Sequence, residues 1–266
     1  MKRGLGEAER RLFAYVQMRG QATLRAGELV KALRLTPPAE RNLFSGLAKE
    51  GWIARVRRGL YLVPRTLPLG GKWTPGEVLA LNTLMEDVKA KYQLCGLSVF
   101  NRYGWDEQLP ARVYAYNNRI SGARRIGAVQ LVLIKVADAR LGGTEEVTTN
   151  EGLVAVYPSP ARALVDAVYD WSRFNSLPRG YAWIRRELKD KRVTPAQLVD
   201  MTLRYGDIGT IRRMGVLLER EGVDSRLLRK LERQLPRSSG LISWIPTQAK
   251  RGTISRRWGV VVNGVV

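Results

Sequence analysis

The stretch Gly51-Trp52-Ile53-Ala54-Arg55-Val56-Arg57-Arg58-Gly59-Leu60-Tyr61-Leu62-Val63 constrains this chain more than any other. Ile53 and Val56 interleave with Arg55, Arg57 and Arg58 on a first strand. Gly59 supplies the turn, Leu60 to Val63 form the return strand, and Pro64 ends it. The run therefore reads as a β-hairpin with a cationic tip. Three arginines at a hairpin tip are not core residues. They form either a solvated turn or a grip on phosphates and the minor groove.

What precedes the hairpin narrows its meaning. Residues 6–19 carry Leu12, Phe13, Val16 and Met18 at helical spacing, with Glu7 and Glu9 at the favourable end and Gly20 as the stop. A second helix is expected from about Arg25 to Leu33, with Leu29, Val30 and Leu33 on one face. After the turn Arg34-Leu35-Thr36, a third helix starts with Thr36 as N-cap and Pro37 at the first position, and ends near Glu50. Glu40 is expected to close a capping box with Thr36. On this helix Leu43, Phe44 and Leu47 point one way. Arg41, Ser45 and Lys49 recur at i, i+4, i+8 on another face, with Asn42 beside them. These are the donor and small side chains that suit base edges and phosphates, although an ordinary solvated face has the same pattern. Helix, turn, helix and basic hairpin, in that order, spell a winged helix–turn–helix over residues 1–66.

The charge agrees with a polyanionic partner. The chain has 266 residues, a formal net charge of +21 and a pI near 10.7, which favours nucleic acid, with an anionic membrane surface as the rival. Residues 1–70 hold 14 Lys/Arg and 5 Asp/Glu, and the remainder 31 and 19, so the first quarter is the more cationic per residue. Arginine outnumbers lysine 34 to 11, which suits phosphates and guanine edges but equally follows from arginine-heavy codon usage. There is no histidine and a single cysteine, Cys95. This excludes Ser-His-Asp and Cys-His catalysis, His-ligated metals and any disulfide framework. No cofactor is expected. No apolar run reaches membrane-spanning length, and the N-terminus leads into charge rather than an apolar signal region, so a cytoplasmic protein is expected.

Thr66 to Gly71, with Pro68 and two glycines, reads as a linker to a second domain over residues 72–266. Thr74 (N-cap), Pro75 and Glu77 open a helix expected to run to about Tyr92. Strands are expected at Ala111–Tyr116, Ala128–Val136, Leu153–Tyr157 and Trp258–Asn263, the second apolar on both faces and hence central. A helix follows Ser159 and Pro160 to about Tyr169. A helical block spans Tyr181–Leu235, broken at Thr194-Pro195, Gly206 and Gly222. The fold class is α+β: a winged helix–turn–helix and a larger mixed domain with a small sheet and a helical block.

Four segments in this order resemble a known family. They are Arg57-Arg58-Gly59-Leu60-Tyr61; Leu97-Ser98 with Tyr103-Gly104-Trp105; Tyr157-Pro158-Ser159-Pro160-Ala161-Arg162-Ala163-Leu164-Val165-Asp166; and Ile211-Arg212-Arg213-Met214-Gly215-Val216-Leu217-Leu218-Glu219. Together they resemble AbiEi-type antitoxins of bacterial type IV toxin–antitoxin systems over nearly the whole chain. The resemblance implies a DNA-binding domain that represses its own operon, and a second domain that opposes a nucleotidyltransferase-type toxin without requiring a stable complex with it. It also implies that the protein is not an enzyme. The expected partner is double-stranded operator DNA with inverted-repeat half-sites. Thr36, Arg41, Asn42, Ser45, Lys49, Arg55, Arg57 and Arg58 are the expected DNA contacts. Arg41, Asn42 and Ser45 would read bases, Lys49 would hold phosphate, and the wing arginines Arg55, Arg57 and Arg58 would hold the backbone or enter the minor groove.

Other residues of the second domain admit plainer readings. Arg162 and Asp166 stand at i, i+4 and can simply pair on a helix surface. Arg212 and Arg213 are expected in solvent, and Met214, Leu217 and Leu218 in the core. Asp166 and Asp170 share one helix without the second acidic strand that a metal-dependent nuclease needs. Cationic clusters at Arg119, Arg124, Arg125, at Arg185, Arg186, and at Lys250, Arg251, Arg256, Arg257 form a candidate second surface for nucleic acid or a partner. Two alternatives stay open: a Mg²⁺-dependent nuclease targeted by the winged helix, and an RNA-binding protein without sequence specificity.

Overall fold

The computed structural model describes residues 5–68, 72–236 and 240–264. Leu69, Gly70 and Gly71, at the end of the expected linker, lie outside them. Helix α1 (Glu7–Arg19) starts where the Gly6 N–H donates to the Glu9 carboxylate at 2.5 Å, and stops at Gly20, whose φ of +61° a glycine adopts without strain. Strand β1 (Thr23–Arg25), helices α2 (Glu28–Ala32) and α3 (Pro37–Glu50), and strands β2 (Ala54–Arg57) and β3 (Leu60–Leu62) follow. β3 lies between β1 and β2, antiparallel to both. The second helix is shorter than its apolar spacing suggests, because Arg25 joins the sheet as the end of β1 and the chain turns at Ala26 and Gly27, the latter at a φ of +93°, before α2 starts.

The Thr36 hydroxyl accepts from the Ala39 N–H at 3.3 Å, as an N-cap should. Glu40 does not complete a capping box. It stands four residues after Thr36, one too many to reach back. Its buried carboxylate instead accepts from the N–H groups of Gly27 (2.7 Å), Leu29 (2.8 Å) and Val30 (3.3 Å). One side chain of α3 thus satisfies the free amides at the start of α2. A five-residue helix cannot persist alone, so Glu40 fixes the angle between the two. Leu12, Phe13, Val16, Leu24, Leu29, Phe44, Leu47, Ile53 and Val63 fill the core of this unit, and Tyr61 stacks on Phe44 at 4.5 Å.

The second unit begins with α4 (Glu77–Asp87), which starts at Gly76 rather than Thr74. It ends five residues before Tyr92. Lys89 turns to a positive φ, and Tyr92–Cys95 becomes strand β4. After α5 (Leu97–Arg102) come β5 (Val113–Asn117), β6 (Gly122–Ile126) and β7 (Val129–Lys135), forming a sheet of order β4-β5-β7-β6. β5 and β7 are parallel and the other pairs antiparallel. β7, apolar on both faces, has a strand on each side. β8 (Thr144–Thr148) and β9 (Val154–Pro158) form a separate hairpin.

Helices α6 (Pro160–Tyr169), α7 (Trp171–Phe174), α8 (Arg179–Lys189), α9 (Pro195–Tyr205), α10 (Ile208–Arg220) and α11 (Ser225–Glu232) make the helical block. Its breaks fall where the sequence sets them: Thr194 caps α9 in a capping box with Gln197, Gly206 ends α9, and Gly222 follows α10. α6 is the hub. All eight residues from Ala161 to Val168 are buried, as in a helix enclosed on every side. β10 (Ile242–Ser243), β11 (Thr253–Ser255) and β12 (Val260–Val262) close the chain in a small sheet of order β10-β12-β11. The molecule is mixed α+β, and no helix among the described residues is long and apolar enough to cross a membrane.

The two units share a core. Ala54, Val56, Leu60 and Leu62 turn away from the N-terminal helices and join the large hydrophobic cluster of the second unit. The turn between β6 and β7 lies against the hairpin so closely that a Cβ on Gly127 would stand 3.4 Å from that of Ala54. The Trp73 N–H donates to the Gly51 carbonyl at 2.8 Å, joining the two units across residues 69–71.

Candidate nucleic-acid interface

The outer face of α3 follows from its register. Glu40, Phe44 and Leu47 are buried on one side. Arg41, Asn42, Ser45 and Lys49 are exposed on the other, within an arc of about 100° at 3.6 residues per turn. Thr36 is also exposed, at the helix N-terminus, where backbone dipoles favour an anion. Arg55 and Arg58 on the hairpin are exposed and enter no ion pair with the described residues. The α3 face and Arg55 present donors set on packed elements, while Arg58 sits on the turn of the hairpin.

Arg57 behaves differently from its neighbours. A β-bulge between Arg55 and Arg57 shifts the register, so that Arg55 stands opposite Tyr61 while Arg57 stands opposite Leu60. Arg25 on β1 also stands opposite Leu60. Arg25, Leu60 and Arg57 therefore form one row across the sheet, and both arginines meet the carboxylate of Asp87, the last residue of α4. Arg57 donates from Nε to Oδ2 and from Nη2 to Oδ1 at 2.7 Å, and Arg25 Nη1 reaches Oδ1 at 3.1 Å. The Asp87 side chain is 5% exposed. The Arg57 hydrogen bond, against some desolvation and with help from Arg25, holds its pKa below the usual range. This contact stands whole above about pH 4 and weakens only as pH falls through the lowered value. With no histidine in the chain, any affinity for DNA at fixed salt is expected to stay flat between about pH 5.5 and 8; fluorescence anisotropy across that range checks this. Asp87 was not legible as a site residue. Its one signal is an acid at a helix C-terminus, where the dipole disfavours it.

The further cationic clusters separate. Arg124 and Arg125 are exposed on the edge strand β6, close to β2, and donate only to the nearby carbonyls of Ala123 and Gly127. Arg119 bonds the Lys89 carbonyl. Arg185 is held by Glu221 at 2.6 Å, Arg186 by the Gly104 carbonyl at 3.0 Å, and Arg257 by Glu219 and Glu232 at 2.7 and 2.8 Å. Lys250 bonds the Leu241 carbonyl, while Arg251 and Arg256 are exposed. These groups sit on different elements. Arg185 and Arg257 serve packing of the helical block.

The Arg-x-x-x-Asp pair of α6 is not on a surface. Arg162 is fully buried and Asp166 nearly so, joined at 3.0 Å. Arg140 donates to the other Asp166 oxygen. Arg162 also donates to the carbonyls of Gly142 (3.3 Å) and Arg140 (2.9 Å), and its guanidinium lies 3.7 Å from the Tyr205 ring centre. The Tyr116 hydroxyl donates to Asp170 at 2.6 Å. With these partners the two aspartates are structural anchors, not a paired acidic site. Among the described residues no group of three or more His, Cys, Asp or Glu is placed to hold a metal ion. Burial pushes the Cys95 thiol well up, so it is an inert core residue.

Arg212 is likewise not solvated. It is buried and donates to the carbonyls of Trp258 (2.7 Å), Gly240 (2.9 Å) and Gly259. Arg213, half-buried, reaches the Ser243 carbonyl at 3.3 Å. Both tie α10 to the C-terminal sheet. Met214, Leu217 and Leu218 are core residues as expected.

No family model and no curated protein matches the chain. Among solved structures it is similar to the crystal structure of the Rv2827c protein from Mycobacterium tuberculosis, with a TM-score of 0.60 and 16% identity over 97% of this chain and 92% of that one. At this identity the likeness concerns the fold alone.

Proposed function

We propose that this chain is a sequence-specific double-stranded DNA-binding protein that represses its own operon through an N-terminal winged helix–turn–helix. The observation that carries the reading is the outer face of α3, where Arg41, Asn42, Ser45 and Lys49 are exposed directly opposite the buried face. Arg55 and Arg58 on the adjoining hairpin extend the same cationic surface. A helix with such a face enters the major groove, where Arg reads guanine and Asn reads adenine, while wing arginines hold phosphates. The second unit acts as the antitoxin of a type IV system, opposing a nucleotidyltransferase-type toxin in the cytoplasm, without catalysis of its own. That part rests on the resemblance of its motifs to AbiEi-type antitoxins.

Binding to duplexes from the chain's own promoter, against random duplex and bulk RNA, tests the first part. Arg41→Ala is expected to weaken the operator complex by about 1–3 kcal/mol and to leave random DNA much less affected. Equal loss on both removes Arg41 from base reading. Bulk RNA outcompeting the operator at physiological salt overturns the DNA reading. Co-expression with a neighbouring nucleotidyltransferase-like gene tests the antitoxin reading, which fails if growth is not rescued.

A further inference from the structure

We infer that Asp87 limits the strength of sequence-independent DNA binding: it withholds Arg25 and Arg57 from DNA phosphates and so keeps that affinity low. The inference rests on the DNA-binding reading above. The row Arg25, Leu60, Arg57 crosses the three-stranded sheet beside Arg58 at the hairpin tip, and both arginines turn onto the single carboxylate of Asp87. They remain about half exposed, with side-chain values of 57% and 49%, whereas Asp87 is nearly covered. The carboxylate presents two acceptor oxygens to these guanidiniums, as a phosphate would. It therefore competes with DNA for the same donors.

A phosphate contact is blind to sequence, so every arginine on the backbone raises random and specific binding together. An arginine held by Asp87 adds to neither. The β-bulge makes the division: Arg55 stays on the row of Tyr61, facing α3, while Arg57 is carried onto the row that faces α4. Asp87 also docks the wing on the second unit, where Ala54, Val56, Leu60 and Leu62 are already buried. That apolar contact keeps the wing in place when the carboxylate is neutralised.

The test is the full-length Asp87→Asn variant on random and operator duplexes over a salt series. Freed arginines that take up two phosphates steepen the slope of log affinity against log salt by up to about 1.8. The advantage of the variant on random DNA then grows roughly tenfold between 200 and 50 mM salt. Affinity for random and operator duplexes rises together, and adding R25Q and R57Q to D87N removes the gain. An unchanged slope overturns the inference, as does weaker binding to both duplexes, the signature of a residue that only holds the fold. A second comparison needs no change at Asp87. Arg58→Gln should flatten the slope by about 0.9, and Arg57→Gln should flatten it far less; equal effects place Arg57 on phosphate and overturn the inference. The parent protein failing to prefer its operator is a different result, and counts against the DNA reading itself.

Discussion

Replacing Asp166 with alanine is expected to cost about 3–5 kcal/mol, because it leaves two guanidiniums in the core without their carboxylate. Arg162 retains only the carbonyls of Gly142 and Arg140 and the face of Tyr205. Arg140 is worse placed: its Nε and Nη1 already lack hydrogen-bond partners, and without Asp166 it keeps only the rings of Tyr169 and Tyr116. Since domains are stable by roughly 5–15 kcal/mol, this loss is a substantial part of the margin. For a chain of this size it corresponds to a melting temperature lower by roughly 10 °C. The control is Asp200→Ala. Asp200 and Arg204 form the same kind of pair at the same spacing, with side chains 47% and 63% exposed, and are worth less than about 0.5 kcal/mol. Thermal denaturation of both variants decides the matter. If they melt alike, the α6 pair is not the anchor described. Should Asp166→Ala not accumulate, Asp166→Asn, which keeps the shape and one acceptor, is expected to fall between it and the parent.

The second large effect belongs to Glu40. Removing its carboxylate with Glu40→Ala strips three N–H groups at the start of α2 of their acceptor. Hydrogen bonds to a charged group contribute about 1.5–3 kcal/mol each when made singly, and three on one carboxylate are not additive; a net loss of roughly 2–4 kcal/mol follows. The N-terminal unit has a core of nine buried apolar residues and cannot absorb much, because small units bury little surface. It is expected to lose the mutual packing of α1–α3 first. Hydrogen exchange should then show α1–α3 opening while the α6–α11 block stays protected, and operator binding should vanish together with that protection. Retention of operator affinity in Glu40→Ala would show that α2 holds its angle to α3 without the cap. Glu40→Gln, with one oxygen acceptor left, should give an intermediate loss.

Both residues illustrate what could be read from the chain alone. Most helix boundaries were legible, since they depend on local chemistry: Gly20 and Gly51 as left-handed stops, Thr36 and Ser159 as hydroxyl caps followed by proline, and Thr194-Pro195 as a break. Six short strands were not read, β1, β4, β6, β8, β10 and β11, none longer than five residues. Such segments carry too little period-two pattern to stand out, and their pairing partners lie elsewhere in the chain. The exposed face of α3 could be read, because helical spacing fixes which side chains share a side. The bulge that separates Arg57 from Arg55 could not, because it arises from the pairing of β2 with β3.

By itself, then, the chain determined whatever depends on neighbours within a few residues. That includes the helix caps, the hairpin, the outward polar face of α3, a surplus of cations, and the absence of histidine chemistry. Only the tertiary structure decided which charges are available. Arg162–Asp166 and Asp200–Arg204 are equivalent in sequence spacing, yet one is enclosed among helices and the other faces water. Arg57 and Arg58 are adjacent, yet one is bound to Asp87, thirty residues away, and the other is exposed. The reason is electrostatic. A charge in water is screened and nearly independent of its surroundings, whereas a charge near a low-dielectric core must find a partner wherever the fold brings one.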